Sequence, residues 1–182
     1  MSLAVANYHD VHGCFPPPYL ADENGVPMHS WRVLLLPFIE EQSLHDRYRY
    51  DEPWNGPNNS KLHAEMPRTF RFSFLSDDDT TQTNYLAVIG PHTMWPKSGQ
   101  RTYNDVTDGP DETIHFVECR DSGIHWMEPR DLHLEEMTLT IDTDPRNGIS
   151  SWHEPPAIAT RNSDATRNQP FAKFRAKHAG DQ

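Results

Sequence analysis

Apolar and polar positions alternate along this chain in two regimes. Up to about residue 66, apolar residues recur at spacings of three and four between Pro, Gly and Asn punctuation. From residue 67 they alternate singly or run in short blocks. The first spacing predicts helices and the second predicts strands. Residues 3–11 read as a short helix closed by Gly13 as C-cap. Pro16, Pro17 and Pro18 force an extended segment, and Asp22-Glu23-Asn24-Gly25 reads as a turn. Ser30 is a good N-cap for a second helix, with Trp31, Leu34, Leu35, Phe38, Ile39, Leu44 and Tyr48 on one face. Pro37 should kink that helix or split it in two. Asn55-Gly56-Pro57 opens a third helix, with Asn55 as cap, Pro57 in the first turn, and Leu62 and Met66 on the apolar side.

Beyond Pro67, Phe70, Phe72 and Phe74 alternate with polar residues, as in a strand. Asp77-Asp78-Asp79-Thr80-Thr81 is a loop, and residues 85–89 form a buried strand closed by Gly90-Pro91. Residues 92–111 are loop-like, and 113–119 form a third strand. The mixed pattern of 129–140 fits a helix or an extended arm, and 157–160 with 171–174 suggest a closing hairpin. Helices first and strands afterwards predict an α+β domain, with helices on one face of an antiparallel sheet. The chain divides into a helical stub (1–12), a helix-and-loop region (13–66) and a sheet-rich region (67–182) of one domain.

Composition narrows the picture. A mean hydropathy of −0.80 and 16 prolines in 182 residues describe a loop-rich protein. Five Trp, eight Phe and six Tyr still supply enough bulk for a core. A net charge of −11 argues against a nucleic-acid-binding surface and against adsorption to anionic lipid. No run approaches the roughly 20 apolar residues of a membrane span. The start, Met1-Ser2-Leu3-Ala4-Val5-Ala6, is already inside an apolar helical pattern without a cap, as if a longer helix were entered partway. Cys14 and Cys119 lie in no CxxC motif, and their apolar neighbours suggest free thiols.

Candidate chemistry is sparse. Asp77, Asp78 and Asp79 with Ser76 and Thr80 are the best oxygen-ligand set for calcium, set against the plainer reading of a solvated acidic loop. His9 and His12 share a helix face and could begin a metal site, set against capping or packing beside Gly13. Trp54 and Trp95 sit beside Pro or Gly in loops, where aromatics stack on sugars or partner surfaces or else plug the rim of a thin core. There is no HExxH: His153-Glu154 runs into Pro155-Pro156. There is also no GxSxG elbow and no phosphate-binding Gly loop.

Asn7-Tyr8-His9-Asp10, His12-Gly13 and Phe15-Pro16-Pro17 belong to a longer series of segments. His29-Ser30-Trp31-Arg32-Val33, Leu36-Pro37-Phe38-Ile39-Glu40 and Glu52-Pro53-Trp54-Asn55-Gly56-Pro57-Asn58-Asn59 come next, then Thr83-Asn84-Tyr85-Leu86-Ala87-Val88-Ile89-Gly90-Pro91. Asp108-Gly109 before Thr113-Ile114, Trp126-Met127-Glu128-Pro129-Arg130-Asp131-Leu132 and Gly148-Ile149-Ser150-Ser151 complete it. In this order the set resembles an uncharacterised bacterial prepilin-type family (domain of unknown function 1559). The resemblance implies a type IV pilin or pseudopilin-like fold, with a leader and an apolar spine helix ahead of Asn7-Tyr8-His9. The chain departs from the family pattern at Phe74-Leu75-Ser76-Asp77, where a Cys-Pro-Ser segment is usual. It departs again at His153-Glu154-Pro155-Pro156 and Arg161-Asn162-Ser163-Asp164, where a Gly-rich hairpin is usual.

The resemblance implies a non-enzymatic envelope protein, acting in assembly with itself or with other pilin-like subunits. It would meet the membrane only through the spine helix. Leu3, Val5, Ala6 and Tyr8 would then pack on the sheet, so that Leu3→Asp and Val5→Asp both destabilise the domain. The rival readings are an extracellular glycan- or ligand-binding module using Trp54 and Trp95, and a metal-dependent enzyme using His9, His12 and the acidic loop. No cofactor is expected apart from calcium at that loop.

Overall fold

A computed structural model describes residues 1–71, 80–109, 112–119 and 122–137 of the chain. Helix α1 (Ser2–His12) ends as its sequence predicts: Gly13 adopts φ 73° and returns its N–H to the His9 carbonyl. The Pro-rich segment then leads into a hairpin of β1 (Tyr19–Ala21) and β2 (Pro27–Ser30), closed by the Asp22 carboxylate accepting from Asn24 and Val26 N–H. Ser30 caps the next helix through its side chain, as expected.

The chain after Ser30 is more broken than its spacing suggests. It forms α2 (Trp31–Leu34), a 3-10 turn (Leu36–Ile39) and α3 (Gln42–Arg47). Pro37 sits in the first turn of the 3-10 piece, where it breaks no bond. Because the axis changes direction, no single helical face exists. Val33 and Leu36 are fully buried alongside Trp31 and Leu35, while Leu34, Phe38 and Ile39 are only half-buried. The third predicted helix is likewise reduced to a 3-10 turn (Asn59–Leu62), and Asn55 does not cap it. The Glu52 carboxylate does so instead, accepting from Asn58 and Asn59 N–H at 2.7 and 2.6 Å.

In the second half, β3 (Tyr85–Ile89) is the central strand of a three-stranded sheet in the order β4-β3-β5. Its antiparallel neighbour β4 (Phe116–Glu118) is shorter than the strand predicted over 113–119. Its other neighbour, β5 (Leu132–His133), runs parallel to it, so the sheet is mixed rather than antiparallel. Residues 129–137 are an extended arm followed by a 3-10 turn (Leu134–Glu136), not a regular helix. Phe70 ends a 3-10 turn (Arg68–Phe70) rather than starting a strand. Phe72, Phe74 and the predicted hairpin of 157–160 with 171–174 lie outside the described residues. The α+β class stands.

The unbroken apolar run of β3 reflects burial on both faces. Ala87 and Ile89 face the main cluster, which gathers Val5, Phe15, Trp31, Leu35, Leu36, Phe70, Trp95 and Trp126. Leu86 and Val88 face a smaller cluster with Val117, Cys119, Ile124 and Leu132.

Helix α1 enters the main cluster through Ala4, Val5 and Tyr8. Ala6 is half-buried, and Leu3, expected to pack, is 74% exposed. The helix is rotated relative to that expectation, because Ala4 and Tyr8, four residues apart, form the stripe that meets Phe38 and the core. Val5→Asp should therefore cost roughly 3 kcal/mol or more, by burying an unpaired carboxylate in place of a methyl pair. Leu3→Asp should change stability by no more than about 0.5 kcal/mol. Paired thermal melts check both, and equal losses would refute this orientation of α1.

Candidate functional site

The polar centre of the molecule lies where α2 meets the sheet. Arg32 projects from the first turn of α2 into the interior, and Asp131 lies directly before β5; both side chains are closed to solvent. Arg32 NH2 donates to Asp131 Oδ1 at 2.6 Å and NH1 to Oδ2 at 3.4 Å. NH1 also donates to Ser30 Oγ, and Nε and NH2 donate to the Tyr85 carbonyl at the start of β3. Every donor direction of the guanidinium is used. Asp131 is equally filled, with Oδ1 accepting from Ala87 N–H at 2.7 Å and Oδ2 from Trp31 Nε1 at 3.0 Å. The Arg32 guanidinium carbon also lies 4.6 Å from the Trp31 ring centroid. Burial pulls Arg32 below and pushes Asp131 above their ordinary values, and their mutual attraction opposes both shifts.

A second junction is built by residues 52–63 against the 122–128 turn. Asn59 is buried and donates to the carbonyls of Arg49 and Pro53, while its own side-chain oxygen accepts from Arg49 N–H. Partial desolvation works to raise the Glu52 pKa, but the Asn59 and Asn58 donors outweigh it and hold the carboxyl below its ordinary value. Gly56 is required beneath this clamp, since a Cβ there would stand 2.7 Å from the Glu52 carboxyl carbon. The clamp holds Trp54 half-buried, stacked on His63 with ring centroids 5.4 Å apart. His125 completes the cluster at 4.2 Å from His63 and 5.0 Å from Trp54. Burial first, and then the nearby His63, depress His125 to about 4, against a raising pull from Glu128.

Two further groupings carry polar chemistry. Buried His29 meets the Tyr48 hydroxyl at 2.8 Å through Nδ1 and also bonds the Tyr50 backbone. Burial lowers His29 and raises both tyrosines, Tyr50 to about 12. A hollow of about 310 Å³ is lined by His92, Thr93, Arg101, Asp105, Asp108 and Thr113, among others. Its polar groups are largely engaged within the protein. Arg101 donates to the Pro91 and Asp105 carbonyls, Asp105 closes a capping box with Thr102, and Thr113 Oγ1 bonds Asp108 and Gly109.

The residues singled out from sequence fall in different places. Asp77, Asp78 and Asp79 lie outside the described residues. Trp95 is fully buried between Trp31 and Phe116, and its indole N–H is bound to the His115 carbonyl, so it cannot present a face to a ligand. Trp54 keeps a partly open face but is committed to the histidine cluster. His9 packs on Phe15 and Tyr103, and His12 on Tyr8 and Phe38. Among the described residues, no three His, Cys, Asp or Glu side chains are grouped to hold a metal ion. Cys14 and Cys119 are not joined in a disulfide, and the latter is buried. Arg32, Asp131, Glu52, Asn59, His63 and His125 escape a reading of the sequence alone. The signals available are an arginine directly after Trp31 inside an apolar stretch and the presence of Arg32, Glu52, Asn59 and Asp131 in the family-like segments.

Fold and site together define an α+β protein whose helical half is bolted to its sheet through a buried ion pair. Residues 1–72 match a family model described as a protein of unknown function (DUF1559). No curated protein and no solved structure matches the chain.

Asp131→Ala should cost about 3–5 kcal/mol, because it leaves the Arg32 charge buried without its counter-ion and the Ala87 N–H and Trp31 N–H buried without acceptors. Replacing both Arg32 and Asp131 with apolar residues should recover only part of that loss, since the latter two donors stay orphaned. Denaturant unfolding of the two variants tests this, and full recovery in the double variant would refute the network.

Proposed function

We propose that this chain is a pilin-like, non-enzymatic envelope protein, working by assembly with itself or with similar subunits through the outer side of α1. The observation that carries the reading is that α1 has apolar side chains on two sides. Ala4, Val5 and Tyr8 serve the core, while Leu3 and Val11 stand 74% and 70% exposed. Leu3, Asn7 and Val11 succeed one another at four-residue intervals and form a continuous outward stripe. The core does not explain that stripe, whereas a neighbouring helix would. The match to residues 1–72 covers this helix, and the resemblance of its Asn7-Tyr8-His9-Asp10 segment to prepilin-type proteins supports the same direction.

Charge shapes how such assembly behaves. A net charge of −11 makes like subunits repel, so association should strengthen as salt screens them. Sedimentation velocity across a concentration series should show the chain self-associating more at high salt than at low. Leu3→Asp with Val11→Asp should remove that association while leaving the thermal midpoint unchanged. A wild-type chain that stays monomeric at every concentration and salt would remove the basis of the proposal.

A further inference from the structure

The hydrogen bonds of His125, which packs with Trp54 and His63, suit only its neutral ring. His125 Nδ1 accepts from the Met127 N–H at 3.1 Å, so the neutral ring carries its proton on Nε2. That Nε2 is buried and meets no oxygen or nitrogen partner among the described residues, and the ring lies against those of Trp54 and His63. A second proton has only Nδ1 to bind, where the Met127 N–H already points. The imidazolium would set one donor against another and must turn away, giving up the bond.

The turn held by that bond is itself a joint. Trp126, fully buried, donates its indole N–H to the His63 carbonyl at 2.9 Å and its backbone N–H to the Thr81 carbonyl. On the facing segment, His63 Nε2 is 3.2 Å from the Trp54 carbonyl, which can only accept, so His63 donates there and takes any second proton on Nδ1. A charged His63 would face His125 across 4.2 Å. Among the described residues, the other charged groups at His125 are Glu128, whose carboxylate accepts from the His125 backbone N–H, and Arg130, which pairs with Glu128 at 2.7 Å and so diverts its negative charge. Thr81 and Gln82, which face this turn, are themselves uncharged.

We propose that His125, His63 and Trp54 form an acid-released latch, which joins residues 52–63 to the 122–128 turn when His125 is neutral and opens when it is protonated. It is independent of the assembly reading. The direction of the pH effect is set by the preference for the neutral ring. The closed form is fully favoured above the ordinary histidine range and weakens as pH falls from 6.5 towards 4.

Amide and indole resonances of the whole chain, tracked by NMR from neutral pH down to roughly pH 3.5, test the latch. The Met127 amide and the Trp126 indole should move together with the His125 ring, at a midpoint well below 6.5. His125→Asn, whose side-chain oxygen can still accept from Met127 N–H, should lose that step. His63→Gln, which can still donate to the Trp54 carbonyl, should move the midpoint upwards by removing the facing charge. A His125 ring that titrates near 6.5 while Met127 and Trp126 stay still would overturn the latch. So would simultaneous loss of the β3 amides of Leu86 and Val88, which would mean that the whole domain unfolds instead.

Discussion

The ion pair between Arg32 and Asp131 is the constraint on which the rest of the structure depends. One side chain comes from the first turn of α2 and the other from the residue before β5, 99 positions later. Between them they also bind the start and the middle of β3, the Ser30 cap and the Trp31 indole. A buried ion pair is weak evidence for stability, because the cost of desolvating two charges competes with their attraction. Its strength here is that no hydrogen-bonding capacity is left over on either partner. Such saturation specifies geometry: α2 can dock on the sheet in one position and β5 can add to β3 in one register.

The same economy runs through the other polar groups. Glu52 and Asn59 spend their oxygens and nitrogens on the backbone of a Pro- and Gly-rich segment that has little regular structure of its own. His29 is consumed by Tyr48 and Tyr50, and Trp95 by the His115 carbonyl. A chain of low hydropathy with short helices and short strands obtains its rigidity by these side-chain to backbone bonds, in place of long ladders. That is also why the described histidines serve mainly as ring contacts and hydrogen-bond partners. The His125 cluster differs, because its bonding fits only the uncharged ring.

Much of the local structure is legible in the sequence. Gly13 as a C-cap, Ser30 as an N-cap, the Asp22–Gly25 turn and the apolar strand at Tyr85–Ile89 each depend on interactions within a few residues. Periodicity fails where the backbone changes direction. Spacing alone places Leu34 and Phe38 in the core, yet Val33 and Leu36 take the deeper places, because three short pieces replace one helix. In α1, Leu3 and Ala4 are equally compatible with an apolar stripe, and only docking against Phe38 and the main cluster turns Ala4 inward.

By itself, then, the sequence determined the α+β class, the Asp22–Gly25 turn, and the Gly13 and Ser30 caps, all of which are decided by short-range sterics and hydrogen bonds. The tertiary structure alone decided that Trp95 is core rather than surface, that β5 pairs parallel to β3, and that Glu52 rather than Asn55 caps the 59–62 turn. It also decided that Arg32 finds Asp131 and that His63 finds His125. These pairings join residues far apart in the chain. They are selected by which polar groups would otherwise be left buried without a partner, a condition that exists only once the chain has closed around them.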